Sequence, residues 1–345
     1  MDRSDKLRWM IEDDEAVLIT SYPNIFYYSG FESEDACLVI TKNDALLFTD
    51  SRYTIQAGIQ SHDYEVCDIF KMEEIIKSLK QEILCFEEDL VSVSEFSKLQ
   101  KTSKKLKPFS KMIKRPRRIK DNYEISKMAQ AEELGDNALS FILDLIKPGK
   151  TEREIALELE FFMKKNGASK LSFDTVCASG VRSAMPHGVA SDKIIEKGDF
   201  LTLDFGCVLD GYCSDMTRTV VIGEVSEKQK EIYEIVLKAQ KACLETIKAG
   251  MKCADADKVC RDIIAECGYG NNFGHGTGHS VGVEIHELPS LSPRSEDVLE
   301  IGNVVTVEPG IYIDGFGGVR IEDLVQIGAQ NAVNLTKSQK DLLII

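Results

Sequence analysis

The chain has 345 residues, 43% of them hydrophobic and 29% charged, with a formal net charge of −15. This length exceeds one ordinary domain, and the composition is that of a globular protein with a large core, which excludes a disordered or fibrous chain. No run reaches the roughly eighteen apolar residues of a membrane span, and the N-terminal "MDRSDKLRWMIEDDEAVLIT" is charged throughout, so neither a span nor a secretory signal is expected.

The charge is uneven: residues 1–120 hold 19 Lys+Arg and 21 Asp+Glu, residues 121–345 hold 23 and 36. An acidic body repels phosphate backbones, so no nucleic-acid partner is expected. The ten cysteines are scattered and form no C-x-x-C, which reads as reduced thiols in a cytoplasmic protein.

Along the first 120 residues, "AVLIT", "ACLVIT" and "ALLFTD" read as strands, while "RYTIQAGIQ" and "KMEEIIKSLKQEI" read as helices, together a small α/β domain. From Lys98 to Lys120 there are eleven basic residues and no acid, read as a solvated connection that ends the first domain near residue 120. From Asp121 the texture changes. "NYEISKMAQAEELGDNALSFILDLI" is a long amphipathic helix stopped by "KPGK", and Thr151 with Glu154 caps a second helix ending at Gly167. Ser226 with Gln229 opens another helix stopped by "KAGM", and a further one ends in "ECGYG".

These helix pairs correspond at an offset of about 101, matching Gly149 with Gly250, Ile155 with Ala256, Leu159 with Cys260, Phe162 with Ile263 and Gly167 with Gly268. At nearly the same offset "GDFLTLDFG" (198–206) returns as "GNVVTVEPG" (302–310), so residues 121–345 read as two copies of one unit. Period two puts Thr202 with Asp204 on one strand face and Thr306 with Glu308 on another, with Leu201, Leu203, Val305 and Val307 pointing away. Under a pseudo-twofold the two acids approach one axis, and each copy adds a second, Asp215 and Glu322. Four buried carboxylates are untenable alone, and two divalent cations would cancel them.

Four of the five histidines fall in the same region: His187, His275, His279 and His286. His275 and His279 are four apart, but no glutamate follows His275, so H-E-x-x-H is excluded. The surrounding glycines favour a strand or loop over a helix, with both histidines on one side.

"DFGCVLDGYCSDMTRT", "GHGTGHSVGVEIHE", "TVEPGIY" and "VRIEDLV" resemble the pita-bread dinuclear metallopeptidases, in the Xaa-Pro aminopeptidase and Xaa-Pro dipeptidase (prolidase) branch. "NIFYYSGF" and "DSRYTIQA" resemble that branch's creatinase-like N-terminal domain. The resemblance implies an α/β (α+β) architecture, with a creatinase-like domain over 1–120 and a pseudo-twofold pita-bread catalytic domain over 121–345. It implies five metal ligands: Asp215 and Glu322 bridging two ions, Asp204 completing one site, and His279 with Glu308 the other. Glu308 is also the implied proton carrier, His187 and His286 the substrate-facing histidines, His275 a supporting one, and Arg320 the arginine beside the last ligand. Ser280 stands where relatives often have glycine, which would tighten the loop and remove no ligand.

Four carboxylates and one imidazole favour Mn²⁺, with Co²⁺ or Zn²⁺ as alternatives. The implied activity is hydrolysis of the bond between an N-terminal residue and proline in small peptides, by a cytoplasmic homodimer. A creatinase-type C–N hydrolase and a non-catalytic pita-bread binding protein share the architecture. The first does not use the dinuclear site and the second would have lost ligands, so the full set argues against both.

Overall fold

A computed structural model describes residues 3–102 and 104–345. The chain divides into two compact units, Met1–Arg117 and Arg118–Ile345. The first unit runs α1 (Arg3–Arg8), β1 (Glu15–Ile19), α2 (Tyr22–Ser29), β2 (Ala36–Ile40), β3 (Ala45–Thr49), α3 (Thr54–Gln60), β4 (Glu65–Asp68), α4 (Met72–Ser78), β5 (Ile83–Phe86), α5 (Val93–Gln100), β6 (Lys105–Pro108) and α6 (Ser110–Lys114). Its strands form one mixed sheet in the order β4-β3-β2-β1-β5-β6. Ala16, Leu18, Val39, Phe48, Leu84 and Phe86 bury one face of it.

Two sequence expectations are corrected here. The helix expected over 71–83 stops at Ser78, because Leu79 turns extended and the apolar run from Ile83 is claimed by β5. The basic stretch is no loose connection: it builds the end of α5, the edge strand β6, α6 and a 3₁₀ turn at Arg115–Arg118. Lys105 and Lys107 alternate with Leu106 along β6, and such charges discourage further pairing at a sheet edge. Lys107 pairs with Glu15, and Lys114 with Asp89 at 2.6 Å.

The second unit runs α7 (Asn122–Leu143), α8 (Glu152–Lys165), β7 (Lys170–Leu171), β8 (Val176–Ser179), β9 (Phe200–Phe205), β10 (Cys207–Leu209), β11 (Tyr212–Cys213) and β12 (Met216–Val221). It continues with α9 (Glu227–Thr246), α10 (Cys253–Glu266), β13 (Gly278–Ser280), β14 (Glu287–Leu291), β15 (Val304–Val307), β16 (Gly310–Ile313), β17 (Gly317–Arg320), β18 (Asp323–Ile327) and β19 (Ala332–Asn334). The main sheets are β12-β9-β8 and β14-β13-β15-β18-β19. Capping boxes form at Thr151–Glu154 and Ser226–Gln229 as the sequence predicts, and a third at Asp121–Glu124.

The duplication is visible bond by bond. Gly149 N–H donates to Ile195 O at 2.9 Å and Gly250 N–H to Leu299 O at 2.8 Å. Gly198 N–H donates to Ile222 O at 2.7 Å and Gly302 N–H to Ile327 O at 3.0 Å. All four glycines have φ between 85° and 96°, a region costly for any residue with a Cβ. Leu201 and Leu203 pack under α7 and α8 in one core, and Val305 and Val307 under α9 and α10 in another. Each copy therefore has its own apolar foundation, and the opposite strand faces are left for polar residues.

The copies join through β12. Glu322 N–H donates to Thr217 O at 3.1 Å, Thr219 Oγ1 donates to Arg320 O at 3.0 Å, and the buried Arg218 guanidinium reaches the Glu322 carbonyl and Asp323. Where β9 turns into β10 the backbone is closely crowded: a Cβ on Gly206 would lie 2.0 Å from Ser214 O. Gly206→Ala should therefore lower the thermal midpoint clearly, by about 3 kcal/mol of stability. Gly274→Ala, with open space around its Cβ position, should leave the midpoint nearly unchanged; scanning calorimetry on both variants checks this.

Candidate metal centre

The sheet geometry delivers the acids to one place. Asp204 lies on β9, Asp215 just ahead of β12, Glu308 just past β15, and Glu322 between β17 and β18. One oxygen each from Asp204, Asp215 and Glu322 lie within 4.8 Å of one another. His279 on β13 places Nε2 3.4 Å from Glu308 Oε1 and 3.5 Å from Asp215 Oδ2. These five side chains, with His187, His275, His286 and Arg320, line a cavity of about 490 Å³. All nine residues singled out from the sequence are thus brought together.

Hydrogen bonds fix the acids individually. Arg320 Nη2 donates to Asp204 Oδ2 at 2.6 Å and Nε to Thr217 Oγ1 at 3.1 Å, and that hydroxyl donates to Glu322 Oε2 at 2.6 Å. Thr306 Oγ1 donates to Glu308 Oε1 at 3.0 Å, as their shared face implies. Thr202 departs from that pattern: its hydroxyl meets Thr219 across the strand pair at 3.1 Å. Asp215 N–H donates to Glu132 Oε2 at 3.2 Å.

The electrostatics are those of crowded like charges. Burial, then the neighbouring carboxylates, holds the carboxyls of Asp215 and Glu322 well above the usual range. Burial also raises Glu308, against the pull of His275 and Arg320. Asp204 Oδ1 is buried without a hydrogen-bond partner. An orphan carboxylate oxygen among three further acids and an imidazole is a donor set that fits divalent cations.

The histidines have separate settings. His279 Nδ1 donates to Ser280 O at 3.2 Å, since a carbonyl can only accept, which leaves the Nε2 lone pair facing the acids. His275 lies ahead of the three-residue β13, in a turn. Its Nδ1 donates to Gly276 O at 2.8 Å, and its Nε2 accepts from Tyr312 Oη at 2.9 Å. Tyr312 in turn accepts from Arg320 Nη1 at 2.6 Å. His286 packs its ring edge-on against His279, with centroids 4.4 Å apart, and His187 faces the cavity from an exposed loop.

Several contributors escape sequence reasoning. Tyr312 sits in the quoted "EPGIY", yet nothing local marks it as the link between Arg320 and His275. Lys120, buried, ion-pairs with Glu287 at 3.1 Å and donates to Ser280 Oγ at 2.9 Å. Ser280 Oγ donates to Val304 O at 2.8 Å, so this hydroxyl ties the His279 strand to its neighbour, beside a register shift between His279 and Ser280.

Residues 126–329 match the model of metallopeptidase family M24, and residues 3–119 match the creatinase/prolidase N-terminal domain. The chain is 43% identical to the Xaa-Pro dipeptidase of Pyrococcus furiosus, over 99% of both proteins. Its fold superposes on the Xaa-Pro dipeptidase from Bacillus anthracis with a TM-score of 0.95, 44% identity and 99% of each chain covered. The X-Pro aminopeptidase from Thermotoga maritima gives a TM-score of 0.94, 40% identity and full coverage of both chains.

The raised carboxyls predict a pH dependence for metal-free protein. A folded acid held above its unfolded value of about 4 stabilises the fold below that value and loses this contribution as pH rises through the folded one. Asp215, Glu308 and Glu322 all have this sign, and Glu132 is pushed up to about 8. With chelator present, the thermal midpoint should fall between pH 5 and 8, and a divalent cation should restore it at pH 8 far more than at pH 5. A midpoint that rises over that range in chelator contradicts the assignment.

Proposed function

The chain belongs to metallopeptidase family M24, and we propose that it hydrolyses the bond between an N-terminal residue and a following proline. The observation that carries the metal chemistry is the convergence of Asp204, Asp215, His279, Glu308 and Glu322, with Asp204 Oδ1 left without a partner. Those five would hold two divalent ions. The oxygen-rich set favours Mn²⁺, with Co²⁺ or Zn²⁺ next. Bound ions of this kind lower the pKa of water and polarise a carbonyl.

The chain's own groups supply the remaining steps. Glu308 takes the proton of the attacking water and returns it to the leaving nitrogen. His187 and His286 hold the substrate and donate to the oxygen that gains charge in the tetrahedral intermediate. Arg320 fixes Asp204, and through Tyr312 it fixes the ring of His275. Proline as leaving group requires a dedicated site, because its imide nitrogen has no hydrogen for an ordinary site to recognise. Support for that preference is full-length similarity to Xaa-Pro enzymes, the N-terminal domain included.

The ten cysteines are free thiols, the state expected in a reducing cytoplasm. No helix among the described residues is long and apolar enough to cross a membrane. Assembly as a homodimer follows the family resemblance.

Ala-Pro or Met-Pro should be cut far faster than Ala-Ala, with activity abolished by chelation and restored by Mn²⁺. Full activity in exhaustively demetallated protein, or a marked preference for Met-Ala, would sink this reading. Comparing Ala-Pro with Ala-Pro-Ala decides between dipeptidase and aminopeptidase, since both names occur among the similar proteins. His187→Ala and His286→Ala should keep both metals while kcat falls about 10²–10³-fold. His279→Ala should weaken metal binding itself, as read by metal analysis after dialysis. Equal metal loss in all three variants would make the first two ligands.

A further inference from the structure

The loop that presents His187 is held by a group outside the cavity. We propose that Glu152 is a positioning residue for His187, an inference that rests on reading His187 as a donor to substrate. Glu152 is the first residue of α8 and is wholly buried. Its Oε1 accepts from Ser179 N–H at 2.7 Å and Ser179 Oγ at 2.9 Å. Its Oε2 accepts from Ser191 N–H at 3.1 Å and Ser191 Oγ at 2.6 Å. Arg182 Nε lies between, 3.0 Å from Oε2 and 3.3 Å from Oε1. Ser179 precedes the loop, Ser191 closes it, and Arg182 stands in its 3₁₀ turn, donating Nη2 to Val189 O at 2.7 Å. One carboxylate thus grips both ends and the middle of the segment on which His187 stands.

The 3₁₀ turn is also tied to β17, where Gly318 N–H donates to Ser183 Oγ at 2.9 Å, but burial of large apolar side chains adds little hold. Val181, Met185 and Val189, the larger apolar side chains of the loop, are each more than half exposed. The duplication supplies an internal control. In the other copy the first residue of α10 is Cys253, and the backbones agree: Glu152 N–H donates to Lys193 O at 3.0 Å, Cys253 N–H to Asp297 O at 2.9 Å. The fold therefore accepts a thiol-bearing side chain at this position. The other copy's loop, which carries His286 to the cavity, is held differently: Glu287 Oε1 accepts from Val283 N–H at 3.1 Å and Glu284 N–H at 3.2 Å, so the grip from the start of the helix belongs to the His187 loop. Charge-assisted hydrogen bonds of this kind are short and directional, and suit a task of orientation.

The test is a double-mutant cycle on Mn²⁺-loaded full-length enzyme with Ala-Pro. Glu152→Gln puts an amide N–H₂ against either the Ser179 or the Ser191 donors, so one end of the loop must release. Loss of about an ångström of alignment costs up to about 10²-fold in rate. The expected result is a 10- to 10²-fold fall in kcat with both metals retained, and no further fall when Glu152→Gln is added to His187→Ala. Arg182→Met and Ser191→Ala, each removing a single partner, should give smaller losses that also vanish in the His187→Ala background; they carry the test if Glu152→Gln does not fold. An unchanged kcat in Glu152→Gln, or an equal loss in both backgrounds, overturns the proposal while His187 keeps its role. Normal turnover in His187→Ala alone overturns both.

Discussion

Four carboxylates around one cavity repel one another, and the rest of the second unit is organised to make that crowding tolerable. Ionised acids removed from water are costly without partners. Within the cavity the fixed positive charge comes from Arg320, and it is already committed to Asp204. The strands set the spacing: Asp204 and Glu308 end two apolar runs whose opposite faces are buried in separate cores, so neither acid can retreat without lifting those side chains into water. The hydroxyls of Thr217 and Thr306 then fix one oxygen each of Glu322 and Glu308, and the Asp215 backbone is anchored by its N–H to Glu132. The remaining imbalance is what makes the site a receptor for cations.

Legibility in the sequence follows the range of the interaction. Period-two alternation and capping boxes act over two to three residues, so Asp204, Glu308, Thr151 and Ser226 could be placed from the chain alone. The copy-to-copy offset extended this reach to residues a hundred apart, because a repeated phrase reports a repeated environment. What stayed hidden depends on partners that no pattern connects. Lys120 meets Glu287 across 167 residues, and Arg320 meets Asp204 across 116. The basic stretch looked like a linker because its net charge hides a strand whose lysines point outward at a sheet edge. The helix expected to reach Ile83 failed for a similar reason: β5 captures that residue for a sheet whose need for it appears only in the assembled unit.

The two copies keep one backbone plan and divide the chemistry. Both supply a strand acid and a downstream acid, but only the second supplies an imidazole from a strand, at His279. Only the first turns the chain after β8 into a loop held from the start of α8, where the second has Cys253. Symmetry therefore gives the centre its even arrangement of oxygens, and departures from symmetry give it a direction along which a substrate can lie.

The division between copies also sets the order in which the chain meets its own repulsion. Asp204 and Asp215 belong to a half that can bury its core, α7 and α8 over β9, before Glu308 and Glu322 have been synthesised. Each half taken alone brings only two of the four charges. The full electrostatic cost falls on the final docking, when β12 zips onto residues 320–323 through Thr217, Arg218 and Thr219. A cation that offsets this repulsion would therefore act on assembly as well as on the finished site.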